Sequence, residues 1–264
     1  MKIYDTAQGR RSAILQKLRE DSSVTVSQLK EIFGVSEVTI RKDLRILQDR
    51  KLLIRVHGGA LKESSTNQKE PDEHNFSFKQ MVNSREKQAI GRAAAAHIKD
   101  GDTILIDSGT TTLEVVRNLH NFNDLTIVTT SVNAMMEAVK YRRFKVMMLG
   151  GLLRETSLSV VGPLAESNLK LFYCDKLFLG VDSANVKDGF STPNIEEASL
   201  NQAMISSARE VIAVFDSSKI GRRSFAHIAS LSDVGTIITD SQAPEEFRNY
   251  VSTNGINLHI IDTQ

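Results

Sequence analysis

This chain of 264 residues has a single cysteine, Cys174, so no intrachain disulfide can form and a reducing cytoplasm is the expected setting. No apolar run approaches the roughly 18 residues that a membrane span requires. The opening MKIYDTAQGRR lacks the apolar core of a secretory signal. The six histidines, His57, His74, His97, His120, His227 and His259, are scattered without a metal-ligand spacing. No metal and no cofactor is expected. What remains is 41% hydrophobic and 25% charged, the composition of a soluble globular protein long enough for one large domain or two ordinary ones.

The net charge of +1 conceals an uneven distribution. Residues 1–62 carry 13 Lys plus Arg against 7 Asp plus Glu, a net of +6. The remainder carries 20 against 25, a net of −5. A basic head on an acidic body points to a polyanionic partner for the head alone. Lys62 to Ser84, KESSTNQKEPDEHNFSFKQMVNS, is polar, holds a proline and shows no sustained periodicity, as a linker does. The expected division is a head, 1–62, a linker, 63–84, and a body, 85–264.

Three helical patterns precede the linker. RRSAILQKLRE puts Ile14, Leu15 and Leu18 on one face. A second helix begins at Thr25, with Gln28 completing a capping box. Its apolar residues are Leu29, Ile32 and Phe33, and Gly34 stands where a C-terminal cap belongs. Ser36 can cap a third helix, with Glu37 in its first turn. Helix, tight turn, helix is the helix-turn-helix arrangement. On the third helix Ile40, Leu44 and Leu47 form an inward stripe, and Val38, Thr39, Arg41, Lys42 and Arg45 lie opposite. Arginine and lysine donate to guanine or to phosphates, threonine offers a hydroxyl, and valine suits a thymine methyl. The one acid near this face, Asp43, is expected to point sideways. LLIRVHGGA then alternates and turns on Gly58-Gly59, a wing that places Arg55 and His57 to touch the backbone or minor groove of double-stranded DNA.

VSQLKEIFGVSEVTIRKDLRILQDRKLLIRVHGGA, most specifically VSEVTIRKDL followed by RVHGGA, resembles the N-terminal domain of the DeoR family of bacterial sugar-metabolism repressors. The resemblance implies Ser36 to Arg45 as a recognition helix in the major groove.

Beyond Arg85, apolar runs recur at TILI (103), LTIVT (125), KVMML (145), KLFLGV (176), VIAVF (211), TIIT (236) and LHII (258). Most are separated by segments of helical period such as LEVVRNL. Buried strands alternating with helices predict a mostly parallel sheet in an α/β fold, which binds ligands at the carboxyl ends of its strands. Those ends carry Asp107, Ser108, Gly109, Thr110, Thr111 and Thr112; Thr130 and Ser131, with Asn133 behind; Gly150 and Gly151, then Arg154; Asp182; and Lys219. SGTTT before a helix suits an anion, because glycine admits close approach and the helix N-terminus offers unpaired N–H groups. It lacks the Gly-Lys-Ser/Thr ending of a Walker motif, which disfavours nucleotide hydrolysis. Lys219 would add a full charge to a phosphate. Asp182, Glu196 and Glu197 are candidates for sugar hydroxyls.

DSGTTT, GGLLRETSLSVVG, DKLFLGVD, GFSTPNIEEASLNQAM and FDSSK resemble the effector domain of the same family. That likeness implies a fold similar to ribose-5-phosphate isomerase and glucosamine-6-phosphate deaminase. It implies that Asp107 to Thr112 and Lys219 grip a phosphate, with Asp182 and Glu197 near the enzymes' catalytic carboxylates. LFLGVD and STPNIEEASLN look most like the branch that includes the N-acetylgalactosamine repressor, which implies an amino-sugar. Three functions stand open. The first is a repressor whose body binds a phosphosugar, as a homodimer or homotetramer on repeated half-sites. The second is an isomerase or deaminase with a DNA-binding head. The third is a DNA-binding protein whose sheet only oligomerises. The retained phosphate rim and a head that needs something to report favour the first, with effector binding releasing DNA.

Overall fold

The computed structural model describes residues 6–21, 23–50, 52–56, 58–62 and 76–263. It divides into two compact units, 1–82 and 83–264.

The first unit is built on the helices Ala7–Asp21, Val26–Phe33 and Glu37–Asp49. The predicted caps are formed: Thr25 and Gln28 make the reciprocal box, and Gly34 turns left-handed at φ 64° with its N–H on the Lys30 carbonyl. Ile14, Leu18, Leu29, Ile40, Leu44 and Leu47 are buried together. Ile32 is 48% exposed, off that core. The wing strands Leu53–Val56 and Gly59–Lys62 pair with Val56 opposite Gly59, so Gly59 belongs to the second strand and not to the turn expected on Gly58-Gly59. A third strand, Ser23–Thr25, lies along Gly59–Leu61. A β-carbon at Gly59 would come within 2.1 Å of the Val24 carbonyl oxygen, so only glycine lets that strand in. The stretch read as a linker also differs at its end. Phe76–Met81 is a helix with Phe76 and Phe78 buried.

In the second unit the seven predicted runs are the seven strands of one parallel sheet. From one edge the order is Asn257–Ile261, Thr236–Asp240, Ala208–Val214, Cys174–Gly180, Thr103–Ile106, Thr126–Thr129, Lys145–Met148. Alternate side chains go to opposite faces. Ile104, Ile106, Ile127, Phe178, Ile212 and Val214 pack with Ile90, Ala94, Val115, Val116 and Ala134 on one side. Leu105, Val128, Leu177, Leu179 and Ala213 pack with Ala165, Leu169, Met204, Phe247 and Val251 on the other. Helices therefore cover both faces. Two small antiparallel sheets were not expected: Leu152–Arg154 with Ser159–Val161, and Ser183–Asn185 with Gly189–Thr192 and Ala226–Ala229. Their strands are only three or four residues long, too short for a period to show.

The winding direction matters most for function. After Thr103–Ile106 the chain moves outward through Thr126–Thr129 to Lys145–Met148, then returns to Cys174–Gly180 and winds the other way. The order reverses between Thr103–Ile106 and Cys174–Gly180. A crevice opens outside the carboxyl ends of strands at such a switch point.

Candidate functional site

Of the two strands at the switch point, one is followed directly by Asp107 and the other ends in Gly180. The Gly180 N–H donates to Asp107 Oδ2 at 3.0 Å, and the Ser108 N–H donates to Oδ1 at 2.6 Å. Burial pushes the Asp107 carboxyl up to about 8; these two donors oppose the rise, and the nearby charges of Glu197 and Asp182 add to it. Gly109 precedes the helix Thr110–Arg117, whose first N–H groups have no partner within the helix. The Thr112 hydroxyl is committed to the carbonyls of Asp107 and Gly109, at 2.7 and 3.0 Å. Thr110 and Thr111 are buried beside it, and Ser108 and Gly109 are half-buried.

From this corner one connected set runs along the rim. Thr192 Oγ1 lies 3.2 Å from Asp182 Oδ2 and 3.3 Å from Glu197 Oε2. Arg154 Nε donates to Glu197 Oε1 at 3.2 Å, and Arg154 Nη2 to Thr156 Oγ1 at 3.1 Å. Lys219 Nζ stands 4.0 Å from Asp182 Oδ1. Asp107, Arg154, Asp182, Glu197 and Lys219, far apart in the chain, are thereby brought together. Arg154 and Lys219 stand at the two ends of the set and offset Glu197 and Asp182, the two carboxylates that Thr192 joins. Ser131 is buried and caps the helix Val132–Ala138 through the Ala134 N–H. Thr130 Oγ1 and Asn133 Nδ2 are buried without a hydrogen-bond partner, an arrangement that calls for a ligand or a water.

Three of the sequence candidates, Gly150, Gly151 and Glu196, lie outside this connected set. Gly150 and Gly151 are exposed, and a β-carbon at Gly151 would meet the Val161 carbonyl oxygen at 2.6 Å. They shape a hairpin against the helix Pro163–Leu169. Glu196 is exposed too, while its neighbour Glu197 turns into the rim. Thr192, which no local pattern in the sequence singles out, joins this network between Asp182 and Glu197. Asn83, which fell in the expected linker, donates Nδ2 to Asp216 Oδ1 at 2.7 Å, and Lys87 in the following helix is 4% exposed.

In the head, Val38 is 76% exposed, and Arg41, Lys42 and Arg45 are exposed beside it. Arg55 is half-buried on the wing, and His57 lies outside the described residues. Ser36 and Thr39 are bonded to each other, Oγ to Oγ1 at 2.9 Å, and Ser36 also caps through the Thr39 N–H. Asp43 does not point sideways. It is buried and takes Arg10 Nε at 2.6 Å and Arg11 Nε at 3.6 Å, tying the first helix to the third. The acid that does reach the outer face is Glu37, whose Oε2 lies 3.5 Å from Arg41 Nη2.

Comparison with known proteins agrees with both halves. Residues 10–66 match the DeoR-like helix-turn-helix domain, and residues 82–241 match the DeoR C-terminal sensor domain. The chain belongs to the DeoR family. An uncharacterized helix-turn-helix transcriptional regulator of Bacillus subtilis, YulB, is 41% identical over 88% of each chain. A putative aga operon transcriptional repressor of Escherichia coli O157:H7 is 35% identical over 96% of this chain and 93% of its own. Among solved structures, ribose 5-phosphate isomerase A from Methanocaldococcus jannaschii is 19% identical over 53% of this chain and 55% of its own, with a TM-score of 0.39. A DeoR-family protein with both domains is a DNA-binding transcriptional regulator, and its full-length relatives are named as regulators rather than enzymes. No helix among the described residues is long and apolar enough to cross a membrane.

Proposed function

We propose that this regulator is a repressor of a sugar-catabolic operon, and that a phosphorylated sugar bound at the switch point controls its grip on operator DNA. One observation carries the reading: a glycine-led helix N-terminus and Lys219 share a rim with Asp107, Asp182, Glu197 and Arg154, where the strand order reverses. Ser108 to Thr112 and Lys219 would hold the phosphate, as helix N-termini and ammonium groups hold anions elsewhere. The carboxylates and Arg154 would address the sugar hydroxyls, and Thr130 Oγ1 and Asn133 Nδ2 would each find a partner on the ligand. The resemblance of LFLGVD and STPNIEEASLN to the N-acetylgalactosamine repressor branch supports an amino-sugar. The effector favours one body conformation and releases the DNA by linkage. Val38, Arg41, Lys42 and Arg45 would face the major groove, with Ser36 and Thr39 shaping the helix start. Arg55 and His57 would work from the wing. One small head makes a small interface, so a homodimer or homotetramer on repeated half-sites is the working unit, in the cytoplasm with its DNA.

The test is thermal unfolding of the full chain with pentose, hexose and amino-sugar phosphates, each against its unphosphorylated parent. A true effector stabilises by about 2.7 kcal/mol at about a hundredfold excess over its dissociation constant. Thr111→Asp, which puts a like charge into the cradle, is expected to abolish the shift and keep DNA binding. If no phosphosugar gives a shift, the body is a scaffold and this reading fails.

A further inference from the structure

The body starts at Asn83, one peptide bond after Val82 ends the head unit. Asn83 holds a left-handed backbone, φ 52° and ψ 40°, which asparagine accepts more readily than most side chains. It stands at the N-cap of the helix Ser84–Ala95, yet its side chain does not cap. Its Nδ2 donates instead to Asp216 Oδ1 at 2.7 Å. Asp216 is 1% exposed, just past the carboxyl end of Ala208–Val214. Burial works to raise its carboxyl, but the charges of Lys219 and Lys87 and hydrogen bonds from Ser218 and Asn83 hold it below the usual carboxylate range. Lys87 lies one turn into the same helix as Asn83, and Lys219 belongs to the rim through Asp182. Asn83 thus bonds a buried carboxylate on which the charges of Lys87 and of one lysine of the effector rim also act.

We propose that Asn83 and Lys87 are positioning residues that, through Asp216, carry effector occupancy from Lys219 to the point where the head joins the body. The inference rests on the phosphosugar reading above. An anion that engages Lys219 takes up part of its charge, and Asp216 then depends more heavily on Asn83 and Lys87. Buried as it is, the carboxylate has little water to replace a weakened partner. Whatever the anion does to this joint, the joint does to the anion in equal measure.

Asn83→Gly keeps the left-handed backbone without strain and deletes only the hydrogen bond. Lys87→Met keeps the apolar stem and deletes the charge. Each full-length variant is compared with wild type by three readouts. These are affinity for a DNA fragment that the protein selects from a random pool, the unfolding shift with the phosphosugar singled out by the panel, and the change in DNA affinity that this phosphosugar causes. Asn83→Gly is expected to keep the first two within about twofold, while the third, commonly about 5- to 150-fold in allosteric proteins, shrinks toward one. A merely structural role would move the first two instead. Lys87→Met is expected to show the same loss, and it carries the comparison if Asn83→Gly does not fold. A folded variant whose DNA affinity responds as wild type does overturns the joint and leaves the sensor reading standing. A wild type that no phosphosugar stabilises overturns the sensor reading, and the joint with it.

Discussion

Arg41 and Asp107 show how differently single residues act in the two halves. Arg41 is exposed on the recognition helix and only loosely held by Glu37 at 3.5 Å, an exposed pair of little energetic weight. It can therefore leave Glu37 for a base or phosphate at small cost. Arg41→Ala is expected to weaken binding to a selected DNA fragment by about 1–3 kcal/mol, read by fluorescence anisotropy, with the phosphosugar shift intact. Unchanged affinity would move the recognition surface elsewhere. Asp107 acts through its proton. Burial first, then Glu197 and Asp182, raise its carboxyl to about 8. The unfolded chain loses this proton near pH 4, so the group's contribution to stability falls as pH rises and levels off above its folded value. For a bound phosphate the sign is the same, since ionised Asp107 repels it. Effector affinity measured by calorimetry is expected to hold between about pH 7 and 8 and to fall toward about pH 9. A rise across that range would place the phosphate away from Asp107.

Among the elements, the helices Ser84–Ala95 and Thr110–Arg117 pack so closely that one residue decides the contact. A β-carbon at Gly91 would lie 2.4 Å from Glu114 Cβ and 2.6 Å from the Glu114 carbonyl carbon. Alanine gains about 1 kcal/mol in helix propensity over glycine, but overpacking against backbone costs about 1–3 kcal/mol. Gly91→Ala is therefore expected to be destabilising in urea unfolding and to weaken effector binding, because the displaced helix carries the cradle at its N-terminus. In the head the Asp43 carboxylate joins two helices. Asp43→Ala, which leaves Arg10 buried and unpaired, is expected to destabilise the head by about 3–5 kcal/mol. A loss under about 1 kcal/mol would show that the pair is solvated in solution, as surface pairs are. Much of this level was legible beforehand. Capping box, glycine cap, inward stripe and all seven sheet strands follow from local pattern. The helix Phe76–Met81 was missed because a polar, proline-containing surround concealed two aromatic residues.

For the whole molecule, two units joined at residues 82–83 make a regulator only if binding at one alters binding at the other. Thermodynamic reciprocity makes that measurable from either end. If the phosphosugar weakens DNA binding by a given factor, saturating DNA must weaken phosphosugar binding by the same factor, commonly about 5- to 150-fold. Unequal factors would mean that the two ligands address different oligomeric states.

The sequence by itself determined that there is a helix-turn-helix head, a parallel α/β body and a rim rich in hydroxyls, glycines and charge. These follow from period, capping and strand-end composition, all local properties. Only the tertiary structure decided which charges face one another. Asp43 turned inward because Arg10 and Arg11 offered it a buried partner. Glu197 found Arg154, whereas Glu196 stayed in solvent. Asn83 reached Asp216 across a sequence gap that no spacing rule spans, and the charge of Lys87 acts on the same carboxylate. Strand order, and with it the switch point, sets those meetings, because burial makes an unpaired charge too costly to leave wherever the local sequence happens to put it.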